Sequence, residues 1–348
     1  RREIYSEGRD SIFITRIMKT VEFAIVGLGM IGKRHKQHIA NNPHAHLAAV
    51  CDIRTRHEIG LEEDIPLYTT LSEMLAQHPE VEVVTISTPN GLHAKMACEV
   101  LKAGRCPIVE KPMALTVEDA KTVVETARQT GKQIFPVMQN RYSPPSVWLK
   151  EVMEKNMLGD INMVIVNCFW NRDSRYYVPG HWHGTADMDG GVLFTQFSHF
   201  VDIMLWLLNG KVEVCSSVMD NMTHVGTTPF ADSGVVNFRQ GKTIGVFNFS
   251  TSVWDRNLES SITIIGTKGT IRVAGQYMDT VTECHIDNYE MPDLAPCNAP
   301  NNYGGYKGSA ANHCYVIDNV VNTINKLENP HVSPQEALNV IEFITNAT

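Results

Sequence analysis

Gly27, Gly29 and Gly32 follow an apolar run, 23–26, and precede a polar, helix-compatible segment. A strand, a glycine turn and a helix in that order can bind the pyrophosphate of a dinucleotide. Gly27 lets the chain turn tightly out of the strand. Gly29 lets backbone approach the phosphates, and Gly32 lets the helix pack close to the strand. The helix start adds free N–H groups and the positive end of a dipole. A second apolar run, 47–50, ends in Cys51-Asp52. A carboxylate at Asp52 can accept hydrogen bonds from both ribose hydroxyls of NAD and repel a 2′-phosphate. NAD is therefore expected over NADP, with Arg54 and Arg56 close enough to keep NADP open.

The elements around this site follow from apolar periodicity. Strands are expected at 81–86, 107–109 and 133–138. Helices run from a Ser72 cap to Gln77, from His93 to Gly104, and from the capping pair Thr116 and Asp119 to about Gly131. The polar clusters Ser87-Thr88-Pro89-Asn90, Glu110-Lys111-Pro112 and Gln139-Asn140-Arg141 all follow strands, at the edge where doubly wound sheets bind ligands. Beyond about residue 145 the pattern changes to a helix at 147–156, then longer strands at 161–170, 212–219, 234–238, 243–250 and 260–265. Gln240-Gly241 and Thr267-Lys268-Gly269 read as hairpin turns. An apolar helix at 197–208 interrupts the strands, and helices return at 310–327 and 334–345.

The expected fold is α/β: an N-terminal Rossmann, doubly wound parallel sheet over 19–143, then a C-terminal α+β domain over 144–348 with an open, mostly antiparallel sheet. The open apolar face calls for a second subunit, so a homo-oligomer, dimer or tetramer, is expected. Residues 1–18 read as an extension or tag ending at Met18, a suitable natural start; the alternative is an arm packed on a neighbouring subunit. The 348 residues carry a net charge of −8, which disfavours nucleic acid as a partner. No apolar run approaches the ~18–20 residues of a membrane span. The eight cysteines form no CxxC and read as reduced thiols, in keeping with the cytoplasm.

Gly27-Leu28-Gly29-Met30-Ile31-Gly32, Ser87-Thr88-Pro89-Asn90-Gly91-Leu92-His93, Glu110-Lys111-Pro112, and Gly190-Gly191 through His199-Phe200-Val201-Asp202 together resemble the Gfo/Idh/MocA oxidoreductases. The resemblance covers nearly all of 19–346 and implies NAD(P)-dependent oxidation or reduction of a sugar or polyol. It also implies catalytic roles for Lys111 and His199, and a cis bond before Pro112. The chemistry agrees: an alcohol that loses hydride must also lose its hydroxyl proton. A histidine titrates near neutrality, at about 6.5, and a lysine can hold the oxygen or share the proton. Expected cofactor contacts extend to Met30, Ile31, Ile53, Thr88, Asn90, His93, Glu110 and Lys111, with Gln139 against the nicotinamide. Many relatives carry Asp four residues before the histidine. Here Thr195 stands there and cannot supply that charge.

Phe169-Trp170-Asn171-Arg172, Tyr176-Tyr177, Trp182-His183-Gly184-Thr185, Met188-Asp189-Gly190-Gly191 and Tyr306 through His313 resemble a subgroup, the UDP-N-acetylglucosaminuronate 3-dehydrogenases of bacterial surface-polysaccharide synthesis. That implies oxidation at the sugar C3 hydroxyl. Arg172, Arg175 and Lys307 could pair with a uronate carboxylate or a diphosphate. Tyr177 and Trp182 could lie against a ring, and Thr195 and Asn312 complete the candidate substrate set. The bland alternative makes the arginines surface ion pairs and Trp182 core. His181 and His183, on one face if this is a strand, with Asp187 and Asp189 beyond, lack a third ligand at metal spacing, so no metal is expected. Rival readings are a free polyol or sugar dehydrogenase of inositol type, an NAD-dependent glycosidase, and a non-enzymatic dinucleotide sensor.

Overall fold

Val21–Val26 (β1) is buried along nearly its whole length, as a strand covered on both faces requires. In the computed structural model, which describes residues 18–348, it pairs in parallel with β2 (Ala45–Cys51) on one side. On the other side lies β4 (Val83–Ile86), with β3 (Leu67–Tyr68), β5 (Cys106–Val109) and β6 (Phe135–Pro136) outward of these. The order β3-β2-β1-β4-β5-β6 reverses between β1 and β4, which opens a crevice above their carboxyl ends. The extension expected at residues 1–17 lies outside the described residues.

Gly27 has φ +83, and a Cβ there would sit 2.8 Å from the Ser87 carbonyl oxygen. A Cβ on Gly32 would meet the Gly27 carbonyl oxygen at 2.0 Å. The turn therefore excludes side chains at both positions and delivers the chain into α1 (Met30–Asn41). After α2 (Arg56–Ile59), α3 (Leu71–Gln77) is capped by Thr70 rather than Ser72. The Thr70 hydroxyl accepts from the Glu73 N–H, and the start two residues earlier buries Leu71. α4 (His93–Lys102) and α5 (Val117–Thr130) follow, the latter capped by Thr116 and ended by Gly131 in the left-handed region. Only two residues of the expected 133–138 strand pair, because Pro136 has no N–H and sits on the sheet edge.

α6 (Pro144–Glu154) leads into β7 (Ile161–Phe169), α7 (Val192–Thr195) and α8 (Ser198–Leu207). Then come β8 (Glu213–Asp220), β9 (Ser233–Gln240), β10 (Thr243–Ser250), β11 (Glu259–Gly266), β12 (Gly269–Ala274) and β13 (Thr280–Ile286). Their seven-stranded sheet runs β13-β12-β11-β7-β10-β9-β8 and is antiparallel except where β10 lies parallel to β7. β12 and β13 extend the sheet beyond the expected strands; β13 buries little, so its sequence lacks alternation. A small hairpin, β14 (Pro300–Asn302) and β15 (Lys307–Ala310), precedes α9 (His313–Ile324) and α10 (Pro334–Ala347).

One face of the large sheet buries Val164, Val166, Phe238, Phe247 and Phe249 against α8 and α10. The opposite face leaves Met163, Ile165 and Val246 half-buried and Val235 and Ile244 exposed. α9 does not join this domain. Val316, Ile317, Val320 and Val321 pack in one cluster with Phe23, Ile25, Ile108 and Phe135 of the parallel sheet. The chain thus returns to the nucleotide-domain core after residue 312, instead of running as one unit over 144–348. A stripe of valines fits any apolar face, and the sequence does not say which.

Candidate active site

Glu110 closes β5 with its carboxylate buried between two imidazoles. His35 Nε2, from α1, donates at 2.8 Å, and His313 Nε2, the first residue of α9, lies 3.2 Å away. Burial works to raise the Glu110 pKa. The two imidazoles outweigh it and hold the carboxyl well below its usual range. Glu110 is therefore engaged by protein rather than open to the cofactor. The three side chains are of metal-ligating type and could together hold a metal ion; Glu110 Oε1 is the atom both imidazoles face. The Lys111–Pro112 peptide that follows is cis. His93 braces it: Nδ1 reaches the Pro112 carbonyl at 2.7 Å and Nε2 the Thr88 carbonyl at 2.9 Å. Its ring is spent as a brace between two loops.

Lys111 Nζ donates to the Thr195 carbonyl at the end of α7. Burial pushes the amine's pKa down, against the pull of Glu110 and Asp189. His199, in the first turn of α8, is buried, and burial with the nearby Lys111 charge holds its pKa well below the usual value, so the ring is neutral. Gln139 Nε2 lies 3.1 Å from His199 Nε2, so the expected nicotinamide contact instead supports the histidine. His199 Nδ1 and Gln139 Oε1 are buried with no hydrogen-bond partner. Arg141 locks this arrangement, bonding both Asp202 oxygens at 2.8 and 2.6 Å and Glu336 at 2.7 Å.

Thr195 does not bond His199. Its hydroxyl meets the Asp189 carboxylate at 2.5 Å, and Asn90 Nδ2 spans the Asp189 carbonyl and the Thr195 hydroxyl. Asn90 is thus a bridge between the domains. Asn312 is buried and bonds the Gln139 carbonyl and Ser143, which removes it from a substrate surface. Thr88 turns its hydroxyl to Met96 sulfur.

The glycine turn fits a dinucleotide. Around Gly29 nothing lies within 4 Å of a Cβ position, and α1 has no side-chain cap, so its first N–H groups are available. Met30 and Ile53 are exposed at the crevice mouth, Ile53 by 91%, and Ile31 is half-buried. Asp52 accepts from the Leu28 N–H at 2.7 Å and is gripped by Arg54 through Nε at 2.9 Å and Nη2 at 2.7 Å.

The substrate candidates divide. Arg175 is a surface ion pair with Asp173 at 2.7 Å. The exposed Lys307 contributes its carbonyl to Arg172. Tyr177 is buried against Tyr176 and His224, and Trp182 lies half-buried over His183, not in the core. Arg172 is only 1% exposed and no carboxylate pairs with it among the described residues. Its donors go to Gln196, Asn257 and the carbonyls of Asn171 and Lys307, under the rings of Trp170, Tyr176 and Tyr306. His181 and His183 lie in a loop, not a strand, with Nδ1 atoms 3.0 Å apart. His183 feels both Lys111 and Arg172, and burial leads these charges in lowering its pKa to about 3. The reading of the residues missed His35, His313 and Asp189 as parts of this site. Each had a local signal: His35 lies three residues past Gly32, and Asp189 and His313 lie inside motifs the resemblance rests on.

Residues 21–138 match the model described as oxidoreductase family, NAD-binding Rossmann fold, and residues 147–272 match the GFO/IDH/MocA C-terminal domain. The chain belongs to the Gfo/Idh/MocA oxidoreductase family, and its nucleotide domain is an NAD-binding Rossmann domain. It is similar to the WlbA dehydrogenase from Bordetella pertussis, solved in complex with NADH and UDP-GlcNAcA. The two are 31% identical, with 94% of this chain and 95% of that one covered, at a TM-score of 0.81. WlbA from Chromobacterium violaceum, solved with the same ligands, is 30% identical, covers 94% and 93%, and has a TM-score of 0.81. Inositol 2-dehydrogenase of Salmonella typhimurium is 30% identical over 219 residues, 60% of this chain and 61% of that protein. A Synechocystis oxidoreductase is 31% identical over 42% of its length. The chain thus spans about half the length of these curated relatives.

The Glu110 clamp has a pH signature. Its folded pKa lies below the unfolded value of about 4.3, so the carboxylate's contribution is present above that value and lost as pH falls through the folded one. Glu110→Gln should lower the urea midpoint at pH 7, by a margin that narrows once the pH drops below about 4. A margin unchanged down to about pH 2 would show that the charge contributes nothing.

Proposed function

We propose that this protein is an NAD-dependent dehydrogenase that oxidises a hydroxyl, at C3, of a nucleotide-linked hexuronate such as UDP-N-acetylglucosaminuronate. The observation that carries the substrate class is Arg172. A buried guanidinium with no acidic partner lies in electrostatic reach of Lys111. With Glu110 engaged by its imidazoles, two cations share this desolvated site with one carboxylate, Asp189, a balance that favours an anionic ligand over a neutral one. Two solved relatives were crystallised with NADH and UDP-GlcNAcA, which supports the same reading.

The turn at Gly27–Gly32 and the start of α1 hold the pyrophosphate, Asp52 the ribose, and Met30, Ile31 and Ile53 flank the adenosine. Bound NAD would accept the hydride. Lys111, as ammonium, holds the alcohol oxygen. Neutral His199 takes the hydroxyl proton as the C–O bond becomes a carbonyl. Gln139 can then turn its unpartnered Oε1 toward a protonated Nε2. The eight free thiols fit a reducing compartment, and we place the enzyme in the cytoplasm. No helix among the described residues is long and apolar enough to cross a membrane.

NADH absorbance should appear with UDP-N-acetylglucosaminuronate and not with UDP-N-acetylglucosamine, glucose or myo-inositol. A keto-acid acceptor run in parallel covers retained NADH. Signal on inositol alone would favour the polyol reading. Hydrolysis without net NADH would favour the glycosidase, and NAD binding with no turnover of any kind the sensor. Lys111→Ala should lose about 10²–10⁴-fold in kcat. Arg172→Gln should lose about tenfold in kcat/KM on the uronate while binding NADH as the parent does.

Cofactor choice turns on the Asp52–Arg54 pair. Asp52→Ser frees Arg54 for a 2′-phosphate and should narrow or reverse a preference for NAD in a binding titration. Equal Kd values for NAD and NADP in the parent would contradict the assignment.

The half-exposed sheet face is the proposed homo-oligomer interface. Met163, Ile165, Ile244, Val246 and Ile265 are neighbours in register across β10, β7 and β11. Ile165→Asp should reduce the mass measured by light scattering while leaving NADH binding intact. A monomeric parent would overturn the proposal.

A further inference from the structure

Asp189 is a buried carboxylate that no cation pairs with among the described residues. Every contact it makes is directional. Oδ2 accepts the Gly184 N–H at 2.8 Å, and Oδ1 accepts the Gly191 N–H at 3.2 Å and the Thr195 hydroxyl at 2.5 Å. Asn90 Nδ2 ties the Asp189 carbonyl to the same hydroxyl, at 2.9 and 2.8 Å. Thr195 in turn offers its carbonyl to Lys111 Nζ. Thr195 thus stands between the Asp189 carboxylate and the amine, its hydroxyl bonded to the one and its backbone carbonyl to the other.

The charges around that amine come from several elements. Lys111 is faced by Glu110, Asp189 and Arg172, and by the imidazoles of His93, His183 and His199. Asp189 is faced by Lys111, Tyr176 and Tyr177. Of the two carboxylates near the amine, Glu110 already spends its charge on His35 and His313. Burial raises the Asp189 pKa, its three neutral donors and the Lys111 charge work against that rise, and the field of the ionised carboxylate falls on Lys111. Burial and Arg172 both disfavour an ammonium here.

We propose that Asp189 is the positioning carboxylate of Lys111: it fixes the amine's place through Thr195, and its charge keeps the amine protonated beside Arg172. The position four residues before His199 holds no acid, and a side chain six residues before Thr195 supplies one at hydrogen-bond distance from it. This inference rests on the reading of Lys111 as the amine that holds the alcohol oxygen.

The test uses the full chain with NAD and UDP-N-acetylglucosaminuronate, or whichever sugar of the panel above yields NADH. Asp189→Asn keeps the size and most of the hydrogen bonds. It should bind NADH normally by fluorescence and lose about tenfold or more in kcat. Its alkaline ionisation in kcat/KM should move down by about one pH unit, since a lost neighbouring carboxylate lowers an amine's pKa. Returning an acid to the neighbouring side chain, in the double variant Asp189→Asn with Thr195→Asp, should restore both kcat and the ionisation toward the parent. A slower Asp189→Asn enzyme with an unmoved pH profile would overturn the inference. So would a double variant that binds NADH and is no better than the single one. If Asp189→Asn fails to bind NADH, the double variant decides alone: parent-like ionisation supports the proposal, and a shifted one or lost NADH binding overturns it. Full turnover by Lys111→Ala would instead remove the reading beneath it, whatever Asp189→Asn does.

Discussion

The buried carboxylate of Glu110 is the point on which the site depends. It directly follows β5, and the residue after it is Lys111. Its two imidazole partners arrive from the first helix of the nucleotide fold and from α9, some 200 residues later in the chain. A carboxylate taken out of water at this depth is costly unless its oxygens are met. Meeting them holds three separate segments in one arrangement. The glycine turn, the lysine turn and the returning helix therefore share a fixed geometry before any ligand binds.

Around that anchor the interior carries charge with unusual economy. Arg141, Asp202 and Glu336 form a closed network that joins the Gln139 turn to the His199 helix. Lys111, Arg172 and Asp189 are different, because none is in an ion pair with another. Charges left this way in a desolvated cleft are sensitive to what enters it. The cofactor crevice follows the same logic in a milder form. Arg54 occupies Asp52, the carboxylate just past β2.

Much of this was legible in the residues. The glycine spacing, Asp52 and the polar clusters at strand ends locate the crevice, because backbone sterics and strand polarity are local properties. The order of motifs points to the family and to Lys111 and His199. The thresholds of legibility show at the edges. Thr70 rather than Ser72 caps α3 because burying Leu71 decides between two equally good cap residues. Arg175 and Arg172 look alike in sequence, three residues apart, yet one pairs with Asp173 at the surface and the other is sealed beneath three aromatic rings.

What the sequence determined alone is the set of short-range constraints: a turn only glycine can make, helices with their caps, and alternating strands with one face to bury. What only the tertiary structure decided is which distant polar groups would satisfy each other. Asn90 bridges to Thr195, Glu110 to His313, Asn312 to Gln139, and Asp189 stands in reach of Lys111. Each partnership is set by where a domain boundary closes and by the requirement that most buried polar atoms be paired. That requirement acts across the whole fold and leaves no periodic trace along the chain.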